Sequence, residues 1–153
     1  MPRLLTLAAA QTGSVTDLDS AAETAHALLD EAARQQVRLL TFCELFLTPW
    51  FLREDAPLLR GLREKARRHG MALVLPFAER ADDGWFNSAF LYDEQGQPVG
   101  RYRKTHIPAY FPTDGPGGTG SFEKFYFAPG DRLDTHPIAG TRRRGLNPDG
   151  SIN

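Results

Sequence analysis

A single cysteine, Cys43, is all the sulfhydryl this sequence has, so no internal disulfide braces the chain. That usage agrees with a reducing compartment and leaves one thiol as a candidate nucleophile. Net charge is nearly absent too: 18 lysines and arginines stand against 19 aspartates and glutamates, giving -1. Such a balance supplies no field to gather nucleic acid or anionic lipid, so neither is an expected partner. No apolar run is long. The stretch Leu4 to Ala10 is interrupted by Thr6 and ends at Gln11, far below the roughly 18 residues that a membrane span requires. Behind Met1-Pro2-Arg3 that run leads into Gln11-Thr12-Gly13 rather than a small-residue cleavage site, so the expected location is the cytoplasm. The histidines, His26, His69, His106 and His136, are scattered with no close ligand set, which argues against a metal site. Gly115 to Gly120 lacks a following Lys-Ser or Lys-Thr, which argues against a phosphate loop. No cofactor is expected.

What is present is ordinary globular composition, 41% apolar and 24% charged over 153 residues, enough for one core. Leu4 to Ala10 has the length of a buried strand. From Leu18 the apolar positions Ala21, Ala22, Ala25, Leu29, Ala32 and Ala33 recur at helical spacing, with Thr16 and Asp19 placed as a capping box. Val37 to Phe42 returns to strand composition, and strand, helix, strand implies a right-handed crossover and a parallel pair. Glu44 then falls at a strand's carboxyl end, where ligand sites gather in such sheets. A second helix is signalled by Asp55 as N-cap, Pro57, the apolar face Leu58, Leu62 and Ala66, and Gly70 as terminator. Its Arg60, Arg63, Lys65, Arg67 and Arg68 read as a solvated face. Met71 to Ala78, Trp85 to Tyr92 and Val99 to Arg103 read as further strands, the last two joined by a turn at Asp93-Glu94-Gln95-Gly96. Pro108 to Gly120 is too rich in breakers for a regular element.

Three segments carry a family resemblance: Phe42-Cys43-Glu44-Leu45-Phe46-Leu47-Thr48-Pro49-Trp50-Phe51, Gly100-Arg101-Tyr102-Arg103-Lys104-Thr105-His106-Ile107-Pro108, and Phe122-Glu123-Lys124-Phe125-Tyr126-Phe127-Ala128-Pro129-Gly130-Asp131. With Trp85-Phe86-Asn87-Ser88-Ala89, their order and spacing resemble the first half of the nitrilase superfamily of carbon-nitrogen hydrolases. The resemblance implies an α/β fold, an αββα sandwich of the nitrilase type cut to about its first half. It also implies a Glu-Lys-Cys triad with Glu44 as general base, Lys104 stabilising the tetrahedral intermediate, and Glu123 as a second glutamate positioning the lysine. His106, in the same Lys-x-His-Ile-Pro string, would orient the site or contact substrate.

The chemistry explains the residue types. Amide carbons are poor electrophiles, so a thiolate must be generated locally and the oxyanion must meet a positive charge. Two carboxylates beside one ammonium would keep it charged and raise one carboxylate's pKa towards useful basicity. Other readings stand beside these: Glu44 as a surface acid or cap, Lys104 as an edge lysine, Glu123 as half of a loop ion pair, His106 as a structural histidine.

The resemblance also implies a cysteine a short strand beyond Pro129-Gly130-Asp131, and the sequence has none there. Cys43 does not replace it, because adjacent side chains on a strand point to opposite faces. Little or no amidase turnover is therefore expected of this chain. Residues 1–140 read as the amino-terminal part of the hydrolase domain. The tail 141–153, starting Thr141-Arg142-Arg143-Arg144, reads as non-homologous, polar and disordered, as from a truncated or frame-shifted gene. Among substrates, the motif strings look most like the N-carbamoyl amidase branch, which implies small N-carbamoyl compounds or linear amides. Uncovered apolar layers imply a homo-oligomer. The alternative is a non-catalytic ligand-binding or interaction subunit that pairs with intact homologues.

Overall fold

The structure, a computed structural model, describes residues 4–13, 17–109 and 120–136. Its elements run β1 (Leu7–Ala10), α1 (Leu18–Arg34), β2 (Leu39–Phe42), β3 (Phe51–Leu52), α2 (Pro57–Arg68), β4 (Ala72–Ala81), β5 (Gly84–Tyr92), β6 (Pro98–Arg103) and a 3-10 turn at Glu123–Phe125. The strands form one mixed sheet in the order β1-β2-β4-β5-β6, with β3 also paired to β4. The expected parallel pair is there, Leu7 to Ala10 beside Leu39 to Phe42, and β5–β6 is the expected antiparallel hairpin.

The α1 periodicity buries Ala21, Ala25, Leu29 and Ala32. Its cap differs from the expected Thr16–Asp19 box. Asp17 is the N-cap, its carboxylate accepting from the Ser20 backbone N–H at 2.8 Å, because its short side chain reaches the third helical N–H. Thr16 lies outside the described residues. Helix α2 is likewise not capped by Asp55. Ala56 holds that position without a side-chain bond, Pro57 opens the helix, and Asp55 pairs with Arg53 at 3.7 Å instead. The buried α2 face is Leu59, Leu62 and Ala66, so the apolar stripe starts one residue later than Leu58. The basic face is mostly solvated, but Lys65 is bound by Asp30 at 2.6 Å and Arg63 lies over the Tyr92 ring at 5.5 Å.

Both helices pack on one face of the sheet, where Leu29, Leu40, Leu59, Leu62, Leu73, Leu75, Phe77 and Phe90 make the core. The opposite face presents Leu7, Leu39, Thr41, Val74, Ala89 and Leu91, and none of the described helices packs there. Leu7 is 60% exposed. The first and second strands start later than expected, at Leu7 and Leu39, since no partner strand extends the pairing further. Strand β4 runs past the expected Ala78 to Ala81, because Glu79 is paired rather than exposed: its carboxylate meets Ser88 and Arg103. Short β3 was not expected. It pairs with the far end of β4, Phe51 with Ala78 and Leu52 with Glu79, on the side of β4 that β2 occupies further back. The chain between β2 and β3 leaves the sheet at that gap, and Glu44 is in it. No described helix is long and apolar enough to cross a membrane.

Candidate active site

Glu44 lies two residues beyond β2 and is fixed from both sides. Before it, the Phe42 ring stacks on Phe46 with centroids 4.4 Å apart, and Phe46 and Leu47 are buried in the main core. After it, Leu45 takes φ +52, a left-handed backbone that a branched apolar residue rarely adopts, at a cost on the order of 1 kcal/mol. That turn directs Leu45 into a second apolar cluster with Phe51 against Ala78, Ile107 and Phe127. Strain of this kind next to an outward-facing acid is the pattern found at functional sites.

Lys104 follows β6 directly. Its backbone N–H donates to the Asn87 carbonyl at 2.8 Å and its carbonyl accepts from the Gly130 N–H at 2.8 Å. A side chain at Gly130 would bring Cβ to 2.2 Å from the Arg103 carbonyl oxygen, so only glycine permits this approach. Glu123 opens the 3-10 turn, and its carbonyl accepts from the N–H groups of Tyr126 and Phe127 at 2.9 and 2.8 Å. Phe127 is buried in the second cluster and so anchors the turn.

These placements bring Glu44, Lys104 and Glu123 together. The Lys104 ammonium donates to Glu44 Oε1 at 2.8 Å and to Glu123 Oε2 and Oε1 at 3.1 and 3.3 Å. A fourth group completes the cluster. Asn87 Nδ2 donates to Glu44 Oε1 at 2.7 Å and to Glu123 Oε2 at 3.3 Å, from a side chain buried at 5%. The sequence gives Asn87 no site role; the signal for one is its place on β5, one face away from the buried Ser88. Two carboxylates therefore share one ammonium and one amide, which holds both near each other. No metal-binding group of His, Cys, Asp or Glu occurs among the described residues.

The electrostatics correct one expectation. The Glu44 pKa is not raised: the Lys104 hydrogen bond holds its carboxyl below the usual range, with burial opposing and Asn87 assisting. The Glu44 side chain is 58% exposed, so desolvation is too weak to win. Burial works against the Lys104 ammonium, but Glu44 and Glu123 outweigh it and raise its pKa. The cluster thus holds a charged ammonium beside an ionised Glu44, able to orient a neutral hydrogen-bonding group and to pass a proton.

Cys43 is not in this cluster. Its sulfur lies 3.3 Å from Thr12 Oγ1 and packs against the helix-side core, although Cys43 and Glu44 both line a surface hollow with Gln11 and Thr12. No base among the described residues bonds to the thiol. His106 is exposed, its Nδ1 2.9 Å from Thr105 Oγ1, and makes no bond to the cluster. Most of the breaker-rich loop and the whole tail 141–153 lie outside the described residues.

The chain is similar to known proteins. The carbon-nitrogen hydrolase family matches residues 6–144. N-carbamoylputrescine amidase of Solanum tuberosum is 31% identical over 142 residues, covering 84% of this chain and 45% of that protein. A citrullinase of Francisella tularensis is 32% identical over 77 residues, covering 50% of this chain and 24% of that protein. Among solved structures, the C. elegans NitFhit protein superposes with TM-score 0.72 at 19% identity, over 91% of this chain and 37% of that one. A carbon-nitrogen hydrolase from Helicobacter pylori gives 0.64 at 25% identity, over 83% and 45%. The chain spans about half the length of these relatives or less, and its single sheet with helices on one face corresponds to half of their α/β architecture. With residues 6–144 matched, the chain belongs to the carbon-nitrogen hydrolase family of the nitrilase superfamily.

Proposed function

We propose that the Glu44, Lys104 and Glu123 cluster is the acid-base part of a site that hydrolyses N-carbamoyl amines or N-carbamoyl amino acids. The products are the free amine, ammonia and carbon dioxide, at the expense of one water. The observation that carries this reading is one ammonium hydrogen-bonded by two carboxylates, 2.8 Å from Glu44 and 3.1 Å from Glu123. In it Glu44 accepts the proton of the attacking group, Lys104 meets the charge that develops on the carbonyl oxygen, and Glu123 holds the lysine in place. His106 contacts substrate at the rim. A carbamoyl group is planar, neutral and rich in donors and acceptors, which suits such a pocket, and similarity to N-carbamoylputrescine amidases favours that class over nitriles. The unpaired cysteine suits a cytoplasmic setting.

The reaction also needs a thiolate. Among the described residues no base or cation bonds to the Cys43 sulfur to make one, so these 153 residues by themselves are expected to bind without turnover. A covering layer that removed water from Glu44 would push its pKa up towards proton-accepting range. The test is ammonia release from N-carbamoylputrescine and N-carbamoyl amino acids, alongside shifts of the Asn87 side-chain amide resonance on adding either compound. Shifts without ammonia are expected, and Glu44→Gln with Lys104→Ala should abolish the shifts. Shifts or turnover surviving both substitutions would remove the assignment, and turnover lost in Cys43→Ala would make that thiol the nucleophile after all. The bare sheet face favours a second reading, a non-catalytic subunit pairing with a longer member of the family. A chain that stays monomeric by light scattering, alone and mixed with such a relative, counts against it.

A further inference from the structure

On the helix side of the sheet, behind the cluster, lies a second set of charges that the proposed chemistry does not use. Glu79 is 3% exposed and its carboxylate is saturated. It accepts from Ser88 Oγ at 2.6 Å, from Arg103 Nε and Nη2 at 2.8 Å each, and from Arg101 Nη1 at 3.2 Å. Arg103 also reaches Asp83 at 2.9 Å and lies over the Phe86 ring at 3.5 Å. Ser88 and Arg103 are the sequence neighbours of Asn87 and Lys104, and they face each other across the β5–β6 ladder. The two clusters therefore use alternate residues of the same strand pair.

That ladder contains an irregularity. Tyr92 pairs with Pro98 but Leu91 pairs with Gly100, so Val99 is an extra residue on β6, a bulge. Without it the pairing set by Tyr92 and Pro98 would continue to put Tyr102 opposite Ser88 and Arg103 opposite Asn87. A one-residue slip turns every side chain to the other face. Arg103 would then meet Glu44 and Glu123, Lys104 would fall opposite Phe86 on the face of Glu79, and the buried Glu79 would exchange the paired guanidinium bonds of Arg103 and the Arg101 bond for at most one ammonium, a poorer match for its carboxylate. An arginine in that place keeps the charge, so electrostatics at the carboxylates does not choose between the two registers. Glu79 does.

We infer that Glu79, through Ser88 and Arg103, is a positioning residue that selects the bulged register and thereby delivers Lys104, not Arg103, to Glu44 and Glu123. The inference rests on the proposed function only in treating Lys104 as the site's cation. Its readout is a distance rather than turnover, so an inactive chain does not decide it.

The test is NMR on the full labelled chain as parent, Glu79→Met, and Glu79→Met with Val99 deleted. The parent should show an NOE from the Lys104 Hε protons to the Asn87 side-chain amide. In Glu79→Met that NOE should fall several-fold and one from Arg103 Hδ to Asn87 should replace it. Deleting Val99 makes the parent pairing the unbulged one, so it should restore the Lys104 NOE although Glu79 is still absent. A purely stabilising carboxylate predicts no such rescue. A folded Glu79→Met with the Lys104 NOE intact, or a loss that the deletion does not repair, overturns the inference. Should Glu79→Met fail to fold, Glu79→Gln is read for the same two outcomes. Unfolding of every variant, the deletion included, also overturns it, because the cluster would then hold the fold and not the register.

Discussion

Lys104→Ala is expected to move the Glu44 titration midpoint upward, from below the ordinary glutamate range to it or past it. The lysine's hydrogen bond is the largest influence lowering that midpoint, and once it is gone burial opposes ionisation against Asn87 alone. Glu44 then lies in one cluster with Glu123 and no cation between them. A carboxyl carbon titration by NMR reads the effect, and an unmoved midpoint would contradict it. The sign for stability follows. A depressed carboxylate pKa stabilises the fold above the unfolded value of about 4.3 and loses that contribution as pH falls through the folded value. Lys104→Ala should therefore destabilise at neutral pH and flatten the acid limb. The size is small, of order 0–1 kcal/mol, because the Glu44 side chain is 58% exposed. The chemical effect is the large one: in any assembly that supplies a thiolate, losing the charge proposed to meet the oxyanion should lower kcat by about a hundred- to a thousandfold.

Phe77→Ala should have the largest effect on folding. Phe77 is 1% exposed in the centre of β4 and stacks on Phe90 with ring centroids 5.1 Å apart. Truncating a buried phenylalanine costs about 3–5 kcal/mol in transfer and cavity terms. Domains of this size hold only about 5–15 kcal/mol in all, and the described helices of this one lie on a single face of its sheet. The variant should keep only a fraction of the parent's stability, which a urea titration against the parent measures as a much lower midpoint. A midpoint within a few tenths molar of the parent would mean that the core lies elsewhere.

Much of this was legible in the sequence, and the reasons differ by element. Helix α1 announces itself because alanines and Leu29 recur at one period over seventeen residues. The β5–β6 hairpin does so because Asp93 to Gly96 is turn chemistry between two strand-like runs, with Gly96 at φ +72. The meeting of Glu44, Lys104 and Glu123 is a different matter. Spans of 60 and 19 residues separate the partners, and no local pattern encodes a long-range contact; only the family resemblance brought them into one expectation. Strand β3 was missed because two residues carry no periodicity. Glu79 was missed because an acid in a strand reads as the end of burial, although Ser88, Arg101 and Arg103 stand at alternate positions on the strands beyond. The raised carboxylate failed for a reason outside local sequence: it needs water excluded, and Glu44 is open to solvent.

Trp85 gives the open face a spectroscopic handle. The indole is 47% exposed and packs at 4.9 Å against Phe51, at the outer edge of the Ala78, Ile107 and Phe127 cluster. With Trp50 half-buried, it is the more solvent-relaxed of the two tryptophans. Its emission should lie to the red, shift blue when a second layer settles over the sheet, and report that docking in real time without any label.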